Sequence, residues 1–341
     1  MRRNLLTKRA FALGVMAALM AAFLVGPTPV TAAGTGTIVF DYSHGQYSSF
    51  LAGNVDLDLK NDLIDLGYTV VWAMGGINAS ILEDAVGYVA GSQYGETTGY
   101  TADEYTAIAN WFNAGNKFMW VGYDSDYDGN SVITNMTAML EGVGSHVYGE
   151  PLSVEDPESN CASGYRAVAN ETSDDEFVAD IVADVDAVLM HGPTLLYGME
   201  SGFLWGAGTP VALETVTIPN VYPLLYYSEA ATLVNPDLID GFAHSDGDVG
   251  SVVAATIEIS AGAAGTGVIV VSGASPYGDY QPMFTDEYKN VTLTGYNFVN
   301  QAIDFGINHA LTSTNFTLII AIGAIGAVVV VVVIVAMMKK K

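Results

Sequence analysis

The sequence predicts an α/β domain with a mostly parallel sheet and a β-rich extension, followed by one C-terminal transmembrane helix. Three observations predict this. In the first half, short runs of β-branched and aromatic residues alternate with segments whose apolar residues recur at helical spacing. The second half contains mainly strand-like runs. Residues 318–338 form an apolar run without a single charge. The roughly 280 residues in between suffice for one large or two small domains. We favour one α/β domain with a β-rich extension over two independent domains.

The first half follows the order strand, helix, strand. The predicted strands are 37–41, 68–73, 86–90 and 117–122, and the predicted helices are 51–66, 101–112 and 132–140. Thr101 and Glu104 have the spacing of a capping box, which predicts a helix start. Gly67 and Gly115 follow helical patterns, as glycine often does at helix C-termini. Because strands and helices alternate, we expect a parallel sheet with helices on both faces.

The second half begins with an acidic segment, about 150–186, that is predicted to be a surface excursion. Strand-like runs then come at 187–190, 211–218 and 222–227. Two further runs, 252–259 and 267–272, predict a hairpin across a Gly-Ala turn, and a helix at 296–305 closes the domain.

The N-terminus, residues 1–33, has the pattern of a signal peptide. Four basic residues precede an apolar run at 10–25, and Ala32 and Ala33 suit cleavage. An uncleaved N-terminal anchor is the alternative.

The C-terminal run is a transmembrane candidate. At about 1.5 Å per residue, residues 318–338 cover a hydrocarbon core of about 30 Å. Three lysines, residues 339–341, follow directly, and the positive-inside rule places this tail in the cytoplasm. Residues 34–312 are then an extracellular domain of a single-pass cell-membrane protein.

Charge separates the two ends from the domain between them. The chain has 11 Lys and Arg against 37 Asp and Glu. Only Lys60, Lys117, Arg166 and Lys289 lie between the basic ends, which leaves that domain with a formal charge of −33. Such a surface repels nucleic acid and anionic lipid. It suits a basic partner or divalent cations, and solubility in a salty exterior is the simpler explanation.

Two further observations concern an exterior location. Cys161 is the only cysteine, so no intrachain disulfide forms. Asn-x-Ser/Thr patterns predict glycosylation sites in an exported chain. These sites are Asn78, Asn135, Asn170, Asn290 and Asn315.

Asp124, Asp126 and Asp128 predict a metal site, with calcium as the candidate ion. Alternating carboxylates before Gly129 gather hard oxygen ligands around one point, as calcium loops do. Asn135 stands at the twelfth position of the pattern, where an EF-hand has a bidentate Glu, so we expect a looser site. An acidic turn after a strand is the alternative.

Polar residues at strand ends predict a ligand site. Ligands of open parallel sheets bind beyond the carboxyl ends of the strands. Asp41 with His44 could supply polar contacts or a general base; alternatively, Asp41 caps a turn and His44 orders a loop. The candidate ligand-binding residues are Asp41, His44, Gln46, Ser228 and Ser272.

Two other segments carry polar or aromatic clusters. The turn at 244–248 combines His244 with two carboxylates but has no evident companion ligands, so we interpret it as a solvated loop. The Tyr-rich segment 277–280 could line a sugar or partner surface.

Short motifs that span most of the domain carry a family resemblance; they lie at 40–46, 100–104, 111–115, 118–127, 223–228, 267–273 and 297–300. In these motifs the chain resembles the GIFT-type, class I glutamine-amidotransferase-like α/β domain. This domain occurs in gliding-motility-type ABC transporter auxiliary proteins, in a component of intraflagellar transport and in archaeal membrane-anchored proteins of unknown function. The resemblance implies a flavodoxin-like sheet and a non-enzymatic binding or scaffolding role.

Amidotransferase chemistry itself is not expected. Enzymes of this architecture carry a Cys on a sharp strand-to-helix turn, whereas Cys161 has no strong strand before it. No Gly-x-Cys-x-Gly or Gly-x-Ser-x-Gly pattern is present. We therefore assign no catalytic residue.

The sequence thus favours a single-pass cell-surface protein whose non-catalytic α/β ectodomain binds a ligand or partner. The resemblance suggests an ABC-type membrane partner. Two alternatives stay open: a surface hydrolase acting on a glycan or peptide through Asp41, His44 and Asp124, and a structural envelope component.

Overall fold

The computed structural model describes residues 36–46, 55–93, 99–125, 132–200 and 208–312. The predicted signal peptide (1–33), transmembrane helix (318–338) and tail (339–341) lie outside these residues. Within the described ranges, no helix is both long and apolar enough to cross a membrane.

The described elements are 17 strands and five helices. The strands are β1 (Thr37–Asp41), β2 (Thr69–Ala73), β3 (Ala85–Ala90), β4 (Phe118–Gly122), β5 (Val147–Gly149), β6 (Ser153–Glu155), β7 (Arg166–Ala169), β8 (Glu171–Thr172), β9 (Val188–His191), β10 (Leu196–Met199), β11 (Pro210–Ala212), β12 (Val221–Tyr226), β13 (Thr232–Val234), β14 (Val253–Ala261), β15 (Gly267–Ser272), β16 (Glu287–Tyr288) and β17 (Val291–Thr292). The helices are α1 (Val55–Asp65), α2 (Ala79–Leu82), α3 (Ala102–Asn113), α4 (Val132–Val143) and α5 (295–312).

Eight strands form one sheet in the order β2-β1-β3-β4-β15-β14-β12-β8. The first five strands are parallel to one another, and the three remaining pairings, β15–β14, β14–β12 and β12–β8, are antiparallel. The predicted α/β class with a large, mostly parallel sheet is therefore confirmed. The predicted hairpin is confirmed as well, because Ala255 of β14 pairs with Ser272 of β15.

Both faces of the sheet are buried, as the unbroken apolar strands require. Successive residues of a strand point to opposite faces. Trp120 accordingly joins the apolar cluster that contains α1 and α5, whereas its neighbours Met119 and Val121 join the cluster that contains α3 and α4. Helices therefore cover both faces, as the strand–helix alternation predicted.

The acidic segment about 150–186 contributes to the interior, contrary to a simple surface excursion. It supplies β6, β7 and β8, and Leu152, Val154 and Ile181 are buried in the main core. These strands are two to four residues long, so isolated apolar residues among many acids gave no periodic signal. The strand predicted at 211–218 ends at Ala212, where the backbone turns and Thr215 N donates to Ala212 O.

Candidate functional site

Asp41 is the centre of a buried polar network at the carboxyl end of β1. Its side chain is fully buried. Oδ1 accepts hydrogen bonds from Ser43 N at 2.8 Å and Ser43 Oγ at 2.6 Å. Oδ2 accepts from Tyr100 OH at 2.7 Å and Tyr88 OH at 3.2 Å, and it lies 2.7 Å from His44 Nδ1. Both oxygens of this carboxylate are thus enclosed by donors of the protein itself, which is how a buried charge is stabilised.

His44 is held on both ring nitrogens. Its Nε2 lies 3.1 Å from Glu104 Oε1, and its Nδ1 contacts Asp41. The ring stacks on Tyr100 with centroids 3.8 Å apart, and His44 is only 5% exposed. Burial by itself would lower the pKa of His44, but the hydrogen bonds and charges of Asp41 and Glu104 raise it. The ring therefore favours the imidazolium form, with both N–H groups donated to carboxylates.

Glu104 links this network to the start of α3. Its Oε2 accepts from Thr101 N and Thr101 Oγ1, both at 2.8 Å, which completes the predicted capping box. Its Oε1 accepts from Ile77 N at 3.0 Å as well as facing His44. Burial opposes ionisation of Glu104, but the backbone N–H groups of Thr101 and Ile77, together with His44, lower its pKa to about 2.

Gln46 ties the loop after β1 to the end of β3. Its Oε1 accepts from His44 N at 3.0 Å, and its Nε2 donates to Gly91 O at 3.2 Å. Tyr277 OH also donates to the carbonyl oxygens of Asp41 and Val89. The loop after β1 is thus anchored from three sides.

Ser272 and Ser228 lie at the same edge of the sheet but not beside Asp41. Ser272 Oγ is buried and accepts from Trp120 Nε1 at 2.9 Å, while Ser228 Oγ donates to Asp156 Oδ2 at 2.6 Å. At about 4.8 Å per strand, β12 lies roughly 24 Å from β1 across the sheet. The structure therefore brings Asp41, His44 and Gln46 together, and it places both serines elsewhere, in internal hydrogen bonds.

Of the predicted metal ligands, only Asp124 lies within the described residues; Asp126 and Asp128 do not. Asp124 follows β4 and is 8% exposed. No group of three or more His, Cys, Asp or Glu suited to a metal occurs in the described parts of the chain. Calcium binding stays a prediction.

An aromatic patch borders Asp124. Ser125 N donates to Gly192 O at 2.8 Å, and the neighbouring His191 ring lies 5.7 Å from the ring of Tyr165 and 5.6 Å from that of Tyr280. We define the aromatic patch as Tyr165, Arg166, His191, Tyr280 and Tyr288.

Two of the four cations of the acidic domain, Arg166 and Lys289, contact rings of this patch, and Lys289 Nζ lies 5.4 Å from the Tyr288 centroid. The Arg166 guanidinium lies over the rings of Tyr165 and Tyr288, at 4.7 and 5.8 Å from their centroids. Burial, and then the charge of Arg166, lower the pKa of His191 to about 4, so its ring is neutral at pH 7. Tyr165 and Tyr280 are 42% and 52% exposed.

The sequence pointed to the Tyr-rich segment 277–280 as a surface, but it did not predict that Tyr280 packs against His191.

A second histidine is also clamped by two carboxylates, although the sequence predicted a solvated loop there. His244 Nδ1 lies 3.0 Å from Glu150 Oε1, and Nε2 lies 2.9 Å from Glu214 Oε1. Burial would lower the pKa of His244, but these two carboxylates raise it to about 9. The prediction failed because Glu150 and Glu214 are 94 and 30 residues away in sequence.

Cys161 is not placed as a nucleophile. It lies between β6 and β7, fully buried against Val168, Leu189 and Leu293, rather than at the end of a strand of the large sheet. Burial raises the pKa of its thiol, and the thiol is a poor nucleophile compared with the thiolate.

Four of the predicted glycosylation sites lie within the described residues. Asn78, Asn170 and Asn290 are exposed. Asn135 is half-buried, and its Nδ2 donates to Gln93 Oε1 at 2.7 Å. Asn315 lies outside the described residues.

Comparison with known proteins adds evidence on the fold. No protein-family model and no curated protein sequence matches the chain. Among solved structures, the mmIFT52 N-terminal domain is similar, with a TM-score of 0.53 at 11% identity, over 79% of this chain and 97% of that one. At this identity the likeness shows a shared fold.

Two further structures are similar at lower TM-scores. One is a putative ThuA-like protein from Bacteroides uniformis, with a TM-score of 0.34 at 11% identity, over 84% of this chain and 93% of that one. The other is a putative GMP synthase component from Thermoplasma acidophilum, with a TM-score of 0.36 at 10% identity, over 83% and 98%. At these scores neither adds to the fold assignment.

Proposed function

We propose that this chain is a single-pass cell-surface protein with a non-catalytic, amidotransferase-like α/β ectodomain. The ectodomain binds a ligand or partner at the carboxyl edge of its parallel strands, and an ABC-type transport complex is the proposed membrane partner. The observation that supports this most is the state of His44, whose two ring nitrogens both face carboxylates.

A general base needs a lone pair within reach of the substrate proton. The imidazolium form, which Asp41 and Glu104 favour, has none, and the His44 ring is only 5% exposed and stacks on Tyr100. Asp41 is equally enclosed, with five donor contacts to its two oxygens. The chain's single thiol, Cys161, is buried away from the sheet edge. These groups suit a rigid support better than a catalytic centre.

The aromatic patch is the proposed contact surface at this edge. Exposed tyrosine rings provide large, rigid contact area, and Arg166 provides local positive charge in a strongly acidic domain. The patch adjoins Asp124, at the carboxyl end of β4, which is where open parallel sheets bind ligands. The network around Asp41 stabilises the neighbouring loops on which such a surface depends.

A thermal-shift screen of the full-length chain in detergent micelles tests this proposal. The Tm is measured in the presence of sugars, amino acids, nucleotides and organic anions as candidate ligands, each with and without calcium. A ligand at about 100 times its Kd stabilises the folded state by about 2.7 kcal/mol, which raises the Tm by several degrees. We expect at least one such shift, lost in Tyr280→Ala and retained in Phe242→Ala, which removes an exposed aromatic elsewhere.

Two results would contradict the proposal. One is hydrolysis of glycan or peptide substrates that disappears in His44→Ala, since this requires a catalytic His44. The other is a ligand-induced shift in Tm that Tyr280→Ala leaves unchanged, since the contact surface would then lie elsewhere.

Protease treatment of intact cells tests the proposed membrane topology. We expect residues 34–312 to be degraded and the tail to be protected.

A further inference from the structure

A loop between β13 and β14 exposes an unusual amount of apolar surface. In residues 235–249, Leu238 is 87% exposed, Ile239 48%, Phe242 56% and Val249 66%. These four account for almost half of the nine exposed large hydrophobic residues among the described parts of the chain. Scattered exposed apolar residues are ordinary, whereas a cluster on one segment marks an interaction site.

The backbone of the 235–249 loop is held in place from within. The fully buried carboxylate of Glu150 accepts from Phe242 N at 2.6 Å, Ala243 N at 2.7 Å and His244 N at 3.2 Å. A Cβ at Gly241 would come within 2.3 Å of His244 O, so glycine is required in this turn.

Further contacts hold the two ends of the loop. Asn235 Oδ1 accepts from Ile239 N, and Asp246 Oδ1 accepts from Asn235 N, both at 3.0 Å. The loop therefore presents its apolar side chains on a preorganised backbone, which lowers the ordering cost of binding.

The exposed charged side chains on this loop are all acidic, and His244, its one basic group, is buried. Asp237, Asp240, Asp246 and Asp248 are exposed on the same loop, and the sequence has no Lys or Arg between Arg166 and Lys289. A second copy of this chain would place the same acids against one another. An anionic lipid surface would be repelled in the same way. A cationic protein surface complements the loop.

We infer that the 235–249 loop is a docking surface for a protein partner that presents an apolar pocket rimmed by Lys or Arg side chains. Leu238 and Phe242 are its anchors, and the four aspartates select the partner by charge. This surface shares no residue with the aromatic patch: Glu150 holds its backbone, and the ring of Phe242 lies 5.1 Å from that of Tyr197 in β10.

Selection of phage-displayed random dodecapeptides on the immobilised full-length chain tests the inference. We expect enrichment of peptides that combine Lys or Arg with aliphatic or aromatic residues. A synthetic copy of an enriched peptide should bind at least about tenfold more weakly to Leu238→Ser/Phe242→Ser. Binding should also weaken with added salt, and it should vanish in Asp237→Lys/Asp240→Lys, which keeps the apolar residues. Tyr280→Ser is the matched control and should leave binding unchanged, which separates this test from that of the aromatic patch.

Three outcomes would overturn the inference. The enriched peptides could lack cationic residues, they could bind the Leu238→Ser/Phe242→Ser variant as tightly as the wild type, or the selection could enrich nothing. Binding of the chain to neutral phosphatidylcholine vesicles is measured as well. If the chain binds these vesicles, loses that binding in Leu238→Ser/Phe242→Ser and binds no peptide, the loop contacts a membrane and the inference is wrong. All substituted side chains are exposed, so unchanged Tm values confirm that the variants fold.

Discussion

Glu104 joins the first turn of α3 to His44. One carboxylate oxygen accepts hydrogen bonds from Thr101, and the other lies 3.1 Å from His44 Nε2 and also accepts from Ile77 N. A helix-capping residue thus holds a tertiary contact between the loops that follow β1 and β2. Glu104 therefore adds to the contacts of Gln46 and Tyr277 that hold the loop after β1.

Replacement of Glu104 by Ala should destabilise the fold by about 2–4 kcal/mol. Loss of a helix cap costs about 1 kcal/mol, and leaving Ile77 N and His44 Nε2 without an acceptor costs about 1–3 kcal/mol more. Urea unfolding measures the change. Asp103→Ala, in the same exposed helical turn, is the control and should cost less than about 1 kcal/mol. Equal losses in the two variants would show that the contact with His44 contributes nothing.

The stability of the protein should fall as the pH rises from about 6.5 to about 9. His244 has a folded-state pKa of about 9, above the unfolded value of 6.5. Its stabilisation is therefore complete below pH 6.5 and is lost as the pH rises through 9. The difference corresponds to about 3 kcal/mol at most. His44, whose pKa is also raised, changes stability in the same direction.

His244→Gln should remove much of this alkaline dependence, because Gln does not titrate. Unfolding free energies of the wild type and the variant, measured in urea at several pH values, give both slopes. Identical slopes would mean that the clamp of Glu150 and Glu214 does not favour the imidazolium.

Cys161 should resist thiol reagents in the folded protein. Its side chain is fully buried and burial raises the pKa of its thiol, so little thiolate is present or accessible. Labelling with Ellman's reagent should give no fast reaction under native conditions and one equivalent in guanidinium. Fast native labelling would place a reactive nucleophile at this position and reopen a catalytic role.

Glycan occupancy should differ among the Asn-x-Ser/Thr sites when the chain is exported from a host that glycosylates them. Asn78, Asn170 and Asn290 are exposed and should be modified. Asn135 should not, because its amide nitrogen donates to Gln93 within a half-buried contact. Mass spectrometry of peptides after enzymatic deglycosylation measures each site. Occupancy at Asn135 equal to that at Asn78 would contradict the burial of its amide.

The parallel half of the fold was predictable because its signals are local. Thr101 and Glu104 define a helix start within four residues, and the buried strand at Phe118–Gly122 is an unbroken apolar run. The segment about 150–186 lacked such signals, since its strands are short and their apolar residues stand among acids. Its burial comes from contacts made by isolated side chains such as Val154.

The site was predictable only in part, for the same physical reason. Asp41 and His44 are three residues apart, so their contact follows from a turn after a strand. Glu104 and Tyr100 reach the same histidine across 56 to 60 positions, and no local pattern encodes that approach. Glu104 was recognised as a helix cap but not as a partner of His44. His244 shows the same limit, because its two carboxylates come from distant segments.

The central claim is that the edge at β1 supports binding and not catalysis, and the protonation state of His44 tests it most directly. Long-range ¹H–¹⁵N correlation spectra of the ¹⁵N-histidine-labelled protein report the charge and tautomer of each ring across a pH titration, with His44→Gln assigning the signal. We expect His44 to keep both ring protons at pH 6.5, because the hydrogen bonds and charges of Asp41 and Glu104 raise its pKa against the effect of burial. A neutral His44 ring at pH 6.5 or below, with one nitrogen unprotonated, would supply the missing general base and contradict the claim.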